Sequence, residues 1–341
     1  MSNDLGIAGH CITNAGANVS EVADRIDVSI IVVNYKTPKL TLECLASVYA
    51  QCAAGTFEVI LVDNHSSDGS VGEFKKRFPQ TTLIELEENI GFARANNLAA
   101  ARAKGEYLLL LNPDTVVLDN AIFKLLAFAK RNPSGGIWGG RTLNADGSLN
   151  PSSCWRSPSL WSTFCALVGL RRLFPKSPLF DRESYGGWQR NFVREVDIIT
   201  GCFLLIRRDL WNRLGGFDPT FFMYGEDFDL SLRAKALGYR PLMTPEATIV
   251  HYGSVSEWLP ARKQAQLLAA GITIVDRHWP WPKRAIGKLL LRTYPYSRAI
   301  SFWLLAAALK NEKAVRGYET WKAVIRQRRV WISGFPPLSE A

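Results

Sequence analysis

A chain of 341 residues with 47% hydrophobic and 21% charged residues has a globular composition and can bury one large α/β domain or two small ones. The formal net charge is +10, but residues 281–341 hold twelve Lys and Arg against three Glu, a net +9, so the rest is close to neutral. That balance excludes a disordered chain and, with no reader motif present, a nucleic-acid-binding protein.

Six cysteines with neither CxxC spacing nor a dense framework read as reduced, mostly buried thiols of a cytosolic protein, and they suggest no zinc site. Residues 1–26 are small and polar, without a basic n-region or an apolar h-region. They are expected to form a disordered tail, not a signal peptide. No run reaches the roughly 18 apolar residues that cross a bilayer.

Val28 to Asn34 is a continuous β-branched run, the pattern of a strand buried on both faces. Thr37-Pro38 then opens a helix, Pro at the first turn being compatible with the missing N–H. Phe57 to Val62 reads as a second strand and Thr81 to Leu86 as a third. A helix over Phe92 to Ala103 follows Asn89-Ile90-Gly91. Tyr107 and the four leucines after it read as a central strand, stopped by Asn112-Pro113-Asp114 because proline cannot join a ladder. A helix over Asn120 to Arg131 completes four strand–helix alternations, which predict right-handed crossovers and a mostly parallel sheet. No G-x-G-x-x-G follows the first strand and no phosphate-binding G-x-x-x-x-G-K-[ST] occurs, so a dinucleotide-binding domain and a P-loop NTPase are excluded.

The second half changes texture. Residues 151–190, with Trp155, Trp161 and Trp188, suit a loop-and-helix region shaping an acceptor pocket; an aromatic mini-core explains any single Trp equally well. Val196 to Ile206 reads as a strand pair interrupted at Thr200-Gly201-Cys202. Phe228 to Leu237 reads as a helix stopped by Gly238, and Thr248 to His251 as a last short strand.

The acids stand at element ends. Asp63 closes the second strand and Asp114 the fourth, where open α/β sheets bind ligands, and Glu226-Asp227 open a helix, whose N-terminus favours negative charge. Each alone is an ordinary turn or cap. Together they suit nucleotide-sugar transfer. A diphosphate leaving group needs a divalent cation held by carboxylate, and the acceptor hydroxyl needs a base.

The motifs Ser29–Tyr35, Val62-Asp63-Asn64, Asn89–Asn97, Leu111–Asp114, Gly201–Arg208, Gly215–Asp218 and Gly225–Arg233 resemble those of family 2 glycosyltransferases, in order and spacing over about residues 27–255. The wording at Asn112-Pro113-Asp114 and along the Glu226 helix resembles the bacterial rhamnosyltransferase-like branch. The resemblance implies a GT-A-like nucleotide-binding domain over 27–255, its nucleotide half at 27–131 and its acceptor half at 132–255. A basic helical appendage would cover 256–341. It further implies that Asp63 contacts the base with Asn34 and Tyr35 on the same side, and that Asn89, Gly91 and Arg94 approach the phosphates. Asp114 matches the last acid of the metal-binding D-x-D, whose first acid is Asn112 here, so one charge is missing. His251 matches a further ligand position, with a core or capped histidine as the alternative. Asp227 would be the general base, with Glu226 orienting it or contacting acceptor. The implied reaction is inverting transfer of one sugar, best assigned as L-rhamnose from dTDP-L-rhamnose, with Mg²⁺ or Mn²⁺, to a glycan or lipid-linked acceptor in cell-envelope polysaccharide biosynthesis. A UDP-hexose donor and a non-catalytic nucleotide-sugar-binding module are the alternatives.

In the tail, Arg284, Lys288 and Arg292 recur at i+4, a cationic face beside Ile286, Leu289 and Leu290. It reads as a peripheral anchor on the anionic inner face of the cell membrane, or as helices packed on the catalytic domain with a solvated basic side. Gln327-Arg328-Arg329-Val330-Trp331 is a chance likeness to the Q-x-x-R-W of processive synthases, since Val330 stands where arginine is required.

Overall fold

A computed structural model describes residues 26–51, 55–253, 260–309 and 311–336. The expected N-terminal tail, Cys11 and Cys52 lie outside the described residues; Cys44, Cys154, Cys165 and Cys202 are free and buried.

The first half runs β1 (Val28–Asn34), α1 (Pro38–Gln51), β2 (Phe57–Asp63), α2 (Ser70–Arg77), β3 (Thr82–Glu85), α3 (Phe92–Ala100), β4 (Tyr107–Leu111), β5 (Thr115–Val117) and α4 (Ala121–Arg131). The second half runs β6 (Ile137–Leu143), β7 (Leu149–Asn150), β8 (Cys154–Trp155), α5 (Leu160–Val168), α6 (Leu170–Leu173), β9 (Arg194–Glu195), β10 (Ile198–Ile199), β11 (Phe203–Arg207), α7 (Arg208–Leu214), α8 (Glu226–Ala236) and β12 (Leu242–His251). Four helices follow: α9 (Pro260–His278), α10 (Lys283–Leu309), α11 (Glu312–Arg326) and α12 (Arg328–Trp331).

The main sheet is ordered β3-β2-β1-β4-β11-β6-β12-β5. Its first four strands are parallel, as is the β6–β12 pair. β11 runs antiparallel between β4 and β6, and β5 antiparallel on β12. Every residue of β1 and β4 is buried, which is why neither strand shows alternation. Ile30 and Val32 enter the core under α1, α2 and α4; Ile31 and Val33 enter the core under α3, α7 and α8. The carboxyl ends of β1, β2, β4 and β12 and the start of β11 therefore share one edge.

Several elements depart from expectation. β6 carries Gly139-Gly140, poor strand formers. A Cβ at Gly139 would stand 2.6 Å from Ile199 and one at Gly140 2.4 Å from the Ala247 carbonyl, so close packing of the sheet selects glycine there. β12 begins six residues before the expected start, hidden by Pro245, and its register with β6 shifts between Met243 and Thr248. α7 follows β11 without a break. α3 ends at Ala100, three residues early. Helices α9 to α12 enclose their own core around Ile272, Trp321, Val324 and Trp331. The Trp331 indole donates to the Val324 carbonyl at 2.9 Å, a structural use for the end of the Gln327–Trp331 stretch.

Candidate active site

A cleft of about 930 Å³ opens along the shared sheet edge. Tyr35, Asn89, Gly91, Asn112, Asp114, Glu226, Asp227 and His251 all line it, so eight of the expected residues meet there. Asn34 and Asp63 stand just behind. Asn34 Nδ2 donates to Asp63 Oδ1 at 2.7 Å, and Ser66 supplies its hydroxyl to Oδ1 (2.6 Å) and its N–H to Oδ2 (3.0 Å). Asn34 is thereby used in holding the acid, while Asp63 opens on an adjoining cavity of about 100 Å³ with His65 and Ser67. Arg94 is the exception: it is exposed on α3, away from both cavities, so the structure does not put it against phosphates. Asn89 Oδ1 accepts from Asn64 Nδ2 and from Gly91 N, both at 3.0 Å, which ties the β3–α3 turn to the end of β2. Gly91 sits at φ +85°, and a Cβ there would stand 2.5 Å from the Phe222 carbonyl; only glycine fits.

Asp114 and His251 are brought together by the sheet. Antiparallel pairing of β5 with β12 sets His251 opposite Thr115, and Tyr252 N donates to the Asp114 carbonyl at 3.0 Å. His251 Nε2 lies 3.3 Å from Asp114 Oδ1 and 3.3 Å from the Asn112 amide. Burial alone would lower the His251 pKa, but Cys202 and Asp114 beside the ring push it up to about 10. The buried Nδ1 has no hydrogen-bond partner among the described residues. Among the described residues no cluster of three His, Cys, Asp or Glu side chains forms a closed cage. A bound cation would displace the ring proton of His251; one carboxylate, one neutral imidazole and an amide then suit a divalent cation whose remaining positions are filled by phosphate oxygens and water.

Opposite this trio, Tyr224 (φ +73°) and Gly225 (φ +95°) turn the chain sharply into α8. Non-glycine residues rarely hold such a conformation, and here it presents Glu226-Asp227 to the cleft. Asp227 Oδ2 accepts from Gly201 N at 3.0 Å and Oδ1 from Phe228 N at 2.8 Å. Burial raises its pKa against these two donors. Glu226 is pushed well above the usual carboxylate range, by burial and then by the charge on Asp227, and its buried Oε2 has no partner among the described residues. Of the two, Asp227 is the carboxylate with hydrogen-bond donors to hold its charge. Gly201 contributes its N–H to that arrangement.

Asp229, two residues on, faces away. Its carboxylate lies 2.7 Å from Arg233 and 2.9 Å from His278, clamping α9 onto α8. Burial would raise its pKa, but His278 and Arg233 outweigh burial and hold it below the usual value of 3.8. A depressed folded-state pKa contributes stability above the unfolded value that is lost as pH falls through the folded one. Asp229→Asn should cost about 3 kcal/mol near neutral pH, allowing for the partial exposure of both partners, and the difference should shrink below pH 3.8. Urea unfolding at two pH values checks it; an equal loss at both would exclude the ion pairs as the cause.

Sequence reasoning missed one wall. Arg262, Lys263 and Gln266 of α9 line the cleft beside Tyr224, and Lys36 lines it at the β1 end. Nothing in the spacing of α9 signals that it returns to the sheet edge. Trp155 also lines the cleft, whereas Trp188 is buried against Tyr185 and Trp161 faces outward.

Residues 29–214, more than half of the chain, match the model of Glycosyl transferase family 2. The chain belongs to that family. It is a glycosyltransferase, and residues 180–315 also match the model described as Glycosyl transferase family group 2. The transferase is 28% identical over 286 residues to the N-acetylglucosaminyl-diphospho-decaprenol L-rhamnosyltransferase of Mycobacterium tuberculosis, covering 78% of this chain and 91% of that one. It is 30% identical over 240 residues to the O-antigen biosynthesis protein RfbC of Myxococcus xanthus, covering 70% of this chain but 18% of RfbC. Its fold is like that of the mannosyltransferase PcManGT from Pyrobaculum calidifontis, solved with GDP-Man and Mn²⁺. The TM-score is 0.55 at 19% identity, over 91% of this chain and 88% of that one. At that identity the likeness speaks for the GT-A fold alone.

Proposed function

We propose that the transferase moves L-rhamnose from dTDP-L-rhamnose, with inversion, to a lipid-linked or oligosaccharide acceptor in bacterial envelope polysaccharide synthesis at the cytoplasmic face of the membrane. The observation that carries the chemistry is the placing of Asp227 and the Asp114–His251–Asn112 trio in one cleft. The rhamnose assignment is supported by the relative from Mycobacterium tuberculosis, named for L-rhamnosyl transfer to a diphospho-decaprenol acceptor and matched over most of its length.

In this reading Tyr35 and Asn89 flank the nucleoside, and Asp63 reads the base from the adjoining cavity. Asp114 and His251, with the Asn112 side chain beside them, would hold Mg²⁺ or Mn²⁺, which when bound would neutralise charge on the diphosphate. Lys36 and Arg262 add positive charge from opposite walls. Asp227 takes the acceptor hydroxyl proton as that oxygen bonds to the anomeric carbon; the bond to the diphosphate breaks and its electrons leave with the nucleoside diphosphate. Neutral Glu226 donates a hydrogen bond to the acceptor.

Calorimetric titration with dTDP and with UDP, each with and without Mn²⁺, tests the donor. Metal-dependent binding that prefers dTDP is expected. A preference for UDP would replace the donor with a UDP-hexose, and no binding of either with metal present would overturn the reading.

A further inference from the structure

The cations Arg284, Lys288 and Arg292 recur at i+4 along α10, yet they face the protein. Arg284 Nη1 donates to the Asp276 carbonyl at 3.3 Å, Lys288 Nζ to the Asp276 carboxylate at 2.6 Å, and Arg292 Nε to the Ile332 carbonyl at 2.9 Å. These cations sit at the edge of the docked face, which is itself apolar: Leu291, Tyr294, Ala299 and Phe302 pack into the core of the C-terminal helices. The stripe turned outward is apolar: Ile286, Leu289, Tyr296, Ile300 and Trp303, spaced by three, seven, four and three residues, are 41–61% exposed. At 1.5 Å per residue that stripe runs for about 26 Å.

Helix α5 lies alongside. Ser297 Oγ and Arg298 Nη2 of α10 both donate to the Leu167 carbonyl, at 2.6 and 3.0 Å. It too turns large apolar side chains outward at helical spacing: Trp161, Phe164 and Val168 are 38%, 41% and 48% exposed. Past it Leu173 and Phe174 are 70% and 49% exposed, between the exposed cations Arg172 and Lys176. Arg172 stacks over Phe302 of α10, at 5.3 Å from the ring centre, which ties α6 to α10, so the two stripes stand on helices packed together.

Single exposed apolar residues are ordinary, but a continuous face of this kind is not left to water in a monomer. Trp and Tyr beside aliphatic side chains, with Arg and Lys at the rim, match the boundary between lipid headgroups and acyl chains, where one end of each residue is apolar and the other wet. The net +9 of residues 281–341 complements anionic headgroups. Among the described residues no helix is long and apolar enough to cross a membrane, so the helices would lie on it.

We propose that the joined α5–α6–α10 face is the membrane-seating surface of the enzyme, with Ile300, Trp303, Leu173 and Phe174 entering an anionic bilayer and Arg172 and Lys176 meeting its phosphates. This builds on the membrane-proximal reading above but is independent of the donor.

Sedimentation of the full chain with vesicles of phosphatidylcholine, alone or mixed with phosphatidylglycerol, tests it. The wild type should pellet with the mixed vesicles. Ile300→Asp/Trp303→Asp and, on the other helix, Leu173→Asp/Phe174→Asp should each weaken that binding by at least about tenfold, at low and high salt alike. Arg172→Ala/Lys176→Ala should weaken it only at low salt. Thermal unfolding and nucleotide titration show that each variant remains folded. Undiminished pelleting of both apolar variants would overturn the proposal, as would a wild type that stays in the supernatant. A dimer in vesicle-free solution that those substitutions dissociate, without loss of pelleting, would overturn it too and assign the face to a second copy. Because nucleotide binding is read separately, failure here leaves the transferase reading standing, and failure of nucleotide binding leaves the surface to be judged on the vesicles.

Discussion

Asp227→Asn should lower kcat by about 10³-fold, within the range that a positioned general base supplies, while dTDP or UDP still binds. The substitution preserves shape, and the remaining oxygen can still accept from Gly201 N or Phe228 N, which now stand 3.0 and 2.8 Å from the carboxylate. What disappears is the capacity to take a proton. The wild-type pH profile should carry the same signature. The base works only ionised, so activity rises with pH through the Asp227 pKa. Burial lifts that pKa above the usual 3.8, placing the acid limb at higher pH than for a solvated carboxylate. Steady-state rates across pH for wild type and Asp227→Asn check both statements. Near-normal turnover in the variant would remove Asp227 from the role and leave Glu226 as the candidate base.

Asp114→Asn should act on a different step. The cluster with His251 and Asn112 contains one carboxylate, the position of the first D-x-D acid being occupied by Asn112. Replacing Asp114 leaves two amides and an imidazole, with no negative charge to hold a hard cation. Divalent metal affinity should fall by at least about 100-fold, the upper end of what loss of a ligand's supporting contact costs. The Mn²⁺-dependent part of nucleotide binding should fall with it. Paramagnetic titration of free Mn²⁺ in the presence of nucleoside diphosphate measures this directly. Unchanged Mn²⁺ affinity would place the cation elsewhere in the cleft. The two variants therefore separate: one loses turnover and keeps metal-dependent binding, the other loses both.

Much of the nucleotide half was legible because its strands carry their environment in their composition. β1 and β4 are buried on both faces, so each is an unbroken apolar run, and proline or a polar cluster marks where it stops. Carboxylates at those stops fall at one edge because a parallel sheet puts its strand ends there. β6 was illegible for the opposite reason. Its glycines are selected by the approach of Ile199 and the Ala247 carbonyl, contacts made by residues 60 and more than 100 positions away. The start of β12 was hidden by Pro245, which a bulge accommodates.

For the site, the residue types and their order determined the chemistry to look for: Asp114 past a central strand, Asp227 at a helix start, and a sugar-nucleotide transferase pattern joining them. Local sequence carries that much because caps, strand ends and turns are set by near neighbours. Tertiary structure alone decided the rest. That His251 meets Asp114 follows from antiparallel pairing of β5 with β12, and that Arg262 reaches the cleft follows from docking of α9 through Asp229. That Asp227 rather than Glu226 has donors for its charge follows from two backbone N–H groups, one of them from Gly201 on another element. The same holds for α10. Helical periodicity shows apolar residues on more than one side of it, but which of them pack inward depends on the neighbouring helices: Leu291, Tyr294, Ala299 and Phe302 meet their core, and Ile286, Leu289, Ile300 and Trp303 are left outside.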